Sequence, residues 1–456
     1  MDFILLAVAL LFLMLGGLGL SLLLTPKQPK QLGAAELPAL AFLLGSAVVS
    51  SASFIFGFWI SGAILRWAVA ALCLSLGVAG WRRSGRTIKA RAFLPAKKAV
   101  WLLLAFNAAQ VCLIAWLNSI RTLGWDGLLN FEVKARAAFL NGGALPLEFF
   151  SDPSRTWTHQ SYPLLLPLTE SWLYSWLGRA DQSLVKILFP LFFAAALCLL
   201  QAGGRRLAFG DWQIFVAPAL LFTAPLLFIG DGSASSGYAD FPLAVFYLAA
   251  VIWWLEFQRH SDFAALRLAG VLLAAACWLK QEGLILWLCL MALTAAKAFI
   301  EVAQWRMWRQ ILLAALPGLL VIATWRGFVR FVNPPGGNEF LPLGVATLRA
   351  NLWRLPGIAE AALKELANWR HWSVFWAVAA AAILWLCFSA QRQWQHEVTG
   401  IAPTVLIPTA IYSAIYIFSI WPDFIGHLQA SFPRLLIHVS LVAALLACNC
   451  SRNLRS

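Results

Sequence analysis

Long apolar stretches divided by short polar ones set the first expectation for this chain. They fall near 3–25, 37–57, 60–81, 98–117, 183–202, 212–230, 240–257, 266–280, 283–299, 311–330, 373–390, 400–420 and 433–449. A run of roughly 17–25 apolar residues lets a helix cross a bilayer while bonding its own backbone internally. The pattern predicts an all-α, polytopic integral membrane protein with about 12–14 transmembrane helices. The first stretch lacks a basic n-region and is long, so it is expected as a retained span rather than a cleaved leader. The stretch 161–178, SYPLLLPLTESWLYSWLG, is apolar as well. Its Pro163, Pro167, Glu170 and two tryptophans suit a helix dipping in from the interface better than a crossing one.

Composition sharpens this picture. Hydrophobic residues are 61% of the 456 and charged residues 12%, whereas soluble domains carry about 25% charged residues. The net charge of +14 would suit nucleic acid if it formed one patch, but its distribution follows the positive-inside rule. Arg82, Arg83, Arg86, Lys89, Arg91, Lys97 and Lys98 run without an acid between them and assign that loop to the cytoplasm. Counting spans from this anchor puts the N-terminus outside and Lys27 and Lys30 inside. Arg205 and Arg206, Arg259 and Arg267, Lys297, Arg306 and Arg309, Arg392, and Arg452 and Arg455 also fall inside, on one condition: 161–178 must not cross. The loops 118–160, 231–240, the Lys280 turn, 331–372 and 421–434 then face outward. The eight cysteines lie nearly all in apolar stretches, and no pair has metal-ligand spacing, so neither a disulfide framework nor a metal site is expected.

The outward segments hold the residues with chemistry. From Asp126 to Leu140 the pattern is amphipathic, with Leu128, Phe131, Ala135 and Phe139 on one stripe and Asn130, Lys134 and Arg136 turned away. Asn141-Gly142-Gly143 stops it, and such a helix is expected to lie flat on the membrane. Asp126, Asn130 and Lys134, at i, i+4 and i+8, share a face. A second carboxylate, Asp240, opens a span in GYADFPLAVF. For both aspartates the plainer role is a helix N-cap. Lys280-Gln281-Glu282-Gly283 interrupts an apolar pair of segments. Ionisable groups at that depth face a cavity or a partner, or they neutralise each other. Arg434, in HLQASFPRLLIH, enters the last span either as a snorkelling anchor or as a grip for a lipid phosphate. Outward carboxylates with the cations Lys134, Lys280 and Arg434 suit a phosphorylated lipid and an acceptor that must lose a proton. Neither G-x-x-x-x-G-K-[ST] nor G-x-G-x-x-G occurs in a strand–helix setting, which disfavours ATP-driven transport and nucleotide-sugar chemistry.

Several short motifs, in order over roughly 118–440, resemble the GT-C superfamily of polyprenyl-phosphate-dependent membrane glycosyltransferases. The branch is that of protein O-mannosyltransferase-like and aminoarabinose transferase-like proteins. The motifs are Gly124-Trp125-Asp126-Gly127 with Lys134-Ala135, His159 with Tyr162-Pro163-Leu164-Leu165-Leu166-Pro167, Gly237-Tyr238-Ala239-Asp240, Leu279-Lys280-Gln281-Glu282-Gly283, and Ser431 with Arg434-Leu435-Leu436. The resemblance implies sugar transfer from an isoprenoid phosphate carrier at the outer face of the cytoplasmic membrane, with inversion and with Asp126 as general base. It implies a second catalytic carboxylate at Asp240 and a substrate cavity shaped by Lys134, His159, Tyr162, Lys280, Glu282 and Arg434. The expected partners are the polyprenyl-phosphate sugar, a glycan, lipid or protein acceptor, and membrane lipids, with no nucleic acid. No cofactor is expected and metal dependence is not indicated. Asp126 is followed by Gly127, where some relatives carry an adjacent Asp-Glu pair, so an acceptor role based on that pair does not carry over.

Three regions follow: spans and a basic loop in 1–117, an external loop with juxtamembrane helices and the proposed base in 118–182, and the remaining bundle in 183–456 with external loop 331–372. In that loop Arg349, Arg354, Lys364 and Arg370 face Glu339, Glu360 and Glu365, either as acceptor-recognising groups or as a solvated helix face. The competing functional readings are a transporter or flippase of a lipid-linked sugar and a non-catalytic assembly subunit.

Overall fold

Apolar stretches that satisfy their own backbone become helices, and the computed structural model places them in the expected order. It describes residues 1–25, 33–84, 97–302, 304–336, 339–388 and 392–449. Lys27, Lys30, Arg86, Lys89, Arg91, Arg452 and Arg455 lie outside the described residues, as does the side chain of Arg392. The principal helices are α1 Asp2–Leu24, α2 Glu36–Phe56, α3 Gly62–Ser84, α4 Lys98–Ile120, α5 Val133–Leu140, α6 Leu165–Leu177, α7 Leu188–Arg206 and α8 Asp211–Leu220. They continue as α9 Asp240–His260, α10 Phe263–Leu279, α11 Gly283–Ile300, α12 Trp305–Val332, α13 Leu355–Leu366, α14 Phe375–Phe388, α15 Arg392–Ala414 and α16 Phe424–Asn449. Among the described residues ten helical segments are long and apolar enough to cross a membrane, and α10 and α14 contribute shorter apolar helices. Among the described residues the only β pairing is an isolated bridge between Phe340 and Ser419. The chain is a multi-pass membrane protein.

Burial shows which helices line the interior. The apolar window of α9 is 100% buried, against 33% for α1 and 22% for α3. The central helix is therefore α9, packed against α7, α10 and α16, while α1 and α3 keep wide apolar faces for lipid. The first three helices approach closely through small residues. A β-carbon on Gly17 or Gly19 would overlap the backbone of Ala41 or Leu76, the kind of contact that replaces hydrophobic driving force inside a bilayer.

Ion pairs tie the helix ends. At the basic end Arg206 closes α7 and reaches Glu36 of α2 at 2.8 Å and Glu256 of α9 at 3.2 Å, with its guanidinium 4.1 Å from the Trp253 ring. At the opposite end Arg179 lies 2.6 Å from Asp2, and the Gly62 amide donates to the Gly142 carbonyl at 2.7 Å. The Ser161 carbonyl accepts from Trp325 Nε1 at 3.0 Å and from Gln281 Nε2 at 3.3 Å, so both flanks of α6 sit at the end of the bundle where α1 begins. With 13 residues, α6 rises about 20 Å, short of the ~30 Å hydrocarbon layer. It enters and leaves on one side, anchored by Trp172 Nε1 on the Ala9 carbonyl at 3.0 Å. A non-crossing 161–178 is what the positive-inside count requires.

Two expectations need correction. The stretch 212–230 is not one spanning helix: α8 stops at Leu220, and two 3-10 turns, Leu221–Thr223 and Pro225–Leu227, carry the chain onward. Pro218 and Pro225 remove backbone donors there. Such a break needs partners inside a bilayer, and α4 supplies them. Asn107 Nδ2 donates to the Phe215 carbonyl at 3.0 Å, Gln110 Nε2 to Pro218 at 3.4 Å, and Asn118 Nδ2 to Ala234 at 3.1 Å. The helix after Asp126 is likewise not an amphipathic one lying flat. Asn130, Glu132 and Lys134 are buried at 1%, 3% and 0% exposure, whereas Leu128 is 40% exposed. The loop is inserted into the protein, and α5 packs on α6.

In a cysteine-free background, Ser183→Cys and Phe3→Cys are expected to react with an impermeant thiol reagent from one side of sealed vesicles, and His260→Cys from the other. Labelling of positions 183 and 3 from opposite sides would refute the re-entrant path of α6.

Candidate functional site

Glycines bring the site together. Gly124 donates its amide to the Ser236 carbonyl at 2.8 Å, and a β-carbon on Gly127 would overlap that same oxygen. Gly237 adopts φ +81 with its Cα against Gly127, a conformation open to glycine at little cost. The two turns flanking Asp126 and Tyr238 therefore dock backbone to backbone. A π-helical turn, Gly127–Glu132, follows Asp126; such wide turns are uncommon and recur at functional sites.

Neither aspartate caps its helix. Asp126 makes no side-chain cap bond, and the cap of α9 is Ala239. Both carboxylates instead turn to Arg434 of α16: its Nη2 donates to Asp126 Oδ2 at 2.6 Å and to Asp240 Oδ2 at 3.2 Å. Asp240 Oδ1 accepts from Lys280 Nζ at 2.6 Å and from His438 Nε2 at 3.0 Å. A carboxylate only accepts, so His438 carries its hydrogen on Nε2, leaving Nδ1 for the Tyr412 hydroxyl at 3.2 Å. Lys280 also reaches Glu282 Oε1 at 3.0 Å. The Arg434 guanidinium lies 4.6 Å from the Tyr238 ring, whose hydroxyl donates to Asp231 at 3.2 Å.

This charge cluster has a closed back and an open front. Asp240 and His438 are wholly buried and Lys280 is 3% exposed, whereas the side chains of Asp126, Arg434 and Glu282 are 16%, 20% and 22% exposed. Solvent meets an acid, a guanidinium and a second acid, backed by groups that fix them.

The other expected residues divide. Tyr162 lies within electrostatic reach of Glu282, Arg434 and Asp126, and His159 stacks on it with ring centres 4.9 Å apart. Lys134 does not join the exposed front. Its Nζ donates to Asn130 Oδ1 at 2.7 Å and to the His159 carbonyl at 2.9 Å, so it ties the loop after Asp126 to the segment entering α6. Of the acidic and basic groups of loop 331–372, Glu339 also lies within electrostatic reach of Tyr162, whereas Glu360 and Glu365 make local contacts. Glu365 accepts from Asn368, His371 and Trp372, and Glu360 pairs with Lys364 on an exposed face. A cavity of about 470 Å³ between α13 and α16, lined by Glu360, Glu365, His371, Ile425 and Gln429 among others, lies on the face of α16 turned away from Arg434. Among the described residues no group of three or more His, Cys, Asp or Glu side chains could hold a metal ion.

Sequence reasoning missed His438, Tyr412 and Asp231. His438 was within reach: four residues after Arg434, it shares that face of α16. Tyr412 belongs to an apolar segment that gave no signal. No family model matches the chain, and no curated protein or solved structure matches it either.

Burial pushes the Lys134 ammonium down to about 7, against the opposing pull of the Asp126 charge. An unfolded lysine keeps its proton to 10.5, so between about 7 and 10.5 the unfolded chain binds more protons and the stability contributed here rises with pH. The unfolding free energy of the wild type relative to Lys134→Met is expected to climb across that window by at most about 1.4 kcal/mol per pH unit, and to be flat below it. A difference constant across the window would show Lys134 charged throughout. Gly127→Ala should separate the two turns and release Asp126 from Arg434, measurable as a loss of thermal stability; an unchanged melting profile would show that the turns tolerate a β-carbon.

Proposed function

We propose that the protein is a membrane glycosyltransferase of GT-C type, moving a sugar from a polyprenyl-phosphate carrier to an acceptor at the outer face of the cytoplasmic membrane. The observation that carries this reading is the convergence of Asp126 and Asp240, far apart in the chain, on the single guanidinium of Arg434. The end of the bundle holding them is opposite the basic end, which the positive-inside rule assigns to the cytoplasm.

The roles follow from exposure. Arg434, at the open front, grips the donor phosphate, and Lys280 behind it adds positive charge as the phosphate becomes the leaving group. Phosphate oxygens compete with Asp126 for Arg434, so donor binding frees the Asp126 carboxylate. Asp126 then takes the proton of the acceptor hydroxyl as its oxygen attacks the anomeric carbon. The bond from that carbon to the phosphate oxygen breaks, its electron pair leaves with the lipid phosphate, and the configuration inverts. Asp240, wholly buried and held by three donors, serves as the anchor of Arg434 and Lys280 rather than as a second base.

Two features favour a flippase as the second reading: the broken segment at α8 and the re-entrant α6 are devices found in transporters. Purified protein in vesicles with radiolabelled polyprenyl-phosphate sugar separates the two. A transferase releases or transfers label, and a flippase only relocates it. Asp126→Asn keeps size and removes the base, so transfer is expected to fall by two orders of magnitude or more. Near-normal transfer by that variant would remove Asp126 from the mechanism.

A further inference from the structure

At the front of the charge cluster two buried polar atoms have no partner among the described residues: Arg434 Nε and Glu282 Oε2. Buried groups of this kind are costly unless something bonds them. The first is a donor and the second an acceptor. Glu282 Oε2 is fixed beside the site, since its partner oxygen shares Lys280 with Asp240.

At neutral pH a bare lipid phosphate is chiefly a dianion, whose oxygens accept. In that form it can satisfy Arg434, but it meets Glu282 with like charge and without a hydrogen to give. A phosphate esterified to a polyol supplies anionic oxygens for the guanidinium and a hydroxyl for the carboxylate. We propose that Glu282 is the residue that reads the sugar, accepting a hydrogen bond from a donor hydroxyl and so distinguishing the glycosylated lipid phosphate from the bare one. This rests on the transferase reading and adds a consequence to it. Once the sugar has left, the remaining lipid phosphate faces an unsatisfied carboxylate, which weakens product binding and promotes release. Hydrogen-bonding sites discriminate against analogues lacking the matching group because their own polar atoms are left unpaired.

The test measures binding of polyprenyl phosphate, polyprenyl-phosphate hexose and polyprenyl-phosphate pentose to the full-length protein in nanodiscs, following intrinsic tryptophan fluorescence. Wild type is expected to bind at least one glycosylated form ten-fold or more tighter than bare polyprenyl phosphate. Glu282→Gln, which keeps an oxygen for Lys280 and removes the negative charge, is expected to bind the bare lipid phosphate more tightly and to bring the ratio close to one. Its melting profile shows whether it remains folded, and Glu282→Ala serves as a second variant. A ratio unchanged in folded Glu282→Gln and Glu282→Ala overturns the assignment. Equal binding of all three lipids by wild type also overturns it, while leaving a lipid-phosphate site in place. Binding of none of them overturns the transferase reading as well.

Discussion

A fully buried carboxylate inside a membrane bundle is tolerable only when donors close around it, and Asp240 imposes that constraint on everything near it. Its neutralisation draws Lys280 from the turn between α10 and α11 and Arg434 and His438 from α16. Arg434, so fixed, has its Nη2 positioned for Asp126 as well. Removing one partner of such a group strands the others, at a cost of about 3–5 kcal/mol. The charge network therefore specifies how three distant parts of the chain meet, whatever substrate uses it.

The same need for satisfaction governs the backbone. Prolines break the chain after α8, and the carbonyls there are met by Asn107, Gln110 and Asn118 on the buried face of α4. This break leads into the turn carrying Asp231, Gly237 and Tyr238, so irregular backbone is placed where it forms the wall of the site. The re-entrant α6 plays a matching part on the other flank. The segment preceding it delivers Tyr162, and the His159 carbonyl holds Lys134.

Much of this was legible in the sequence, and the exceptions have physical reasons. Helices of self-satisfied apolar residues announce themselves by length, so the spans and the half-helix at Pro163–Gly178 were readable. The orientation of the helix after Asp126 was not. Periodicity shows that two faces differ, but it cannot tell a lipid surface from a protein interior lined with polar partners. Asn130 and Lys134 turned inward because each found such a partner. Asp126, Asp240, Lys280, Glu282 and Arg434 stood out as charges in apolar surroundings, and that cost made them conspicuous. Tyr412 contributes through one hydroxyl in an apolar helix, and only tertiary placement gives it meaning.

The central claim is spatial: Asp126 of the first large loop is held by Arg434 of the last helix. A double-mutant cycle on unfolding free energy in detergent, with Asp126→Asn, Arg434→Gln and the pair, tests it without reference to any substrate. Contact predicts a coupling energy of about 1 kcal/mol or more between the two positions. Strictly additive effects would place the two residues apart and leave the site without its front.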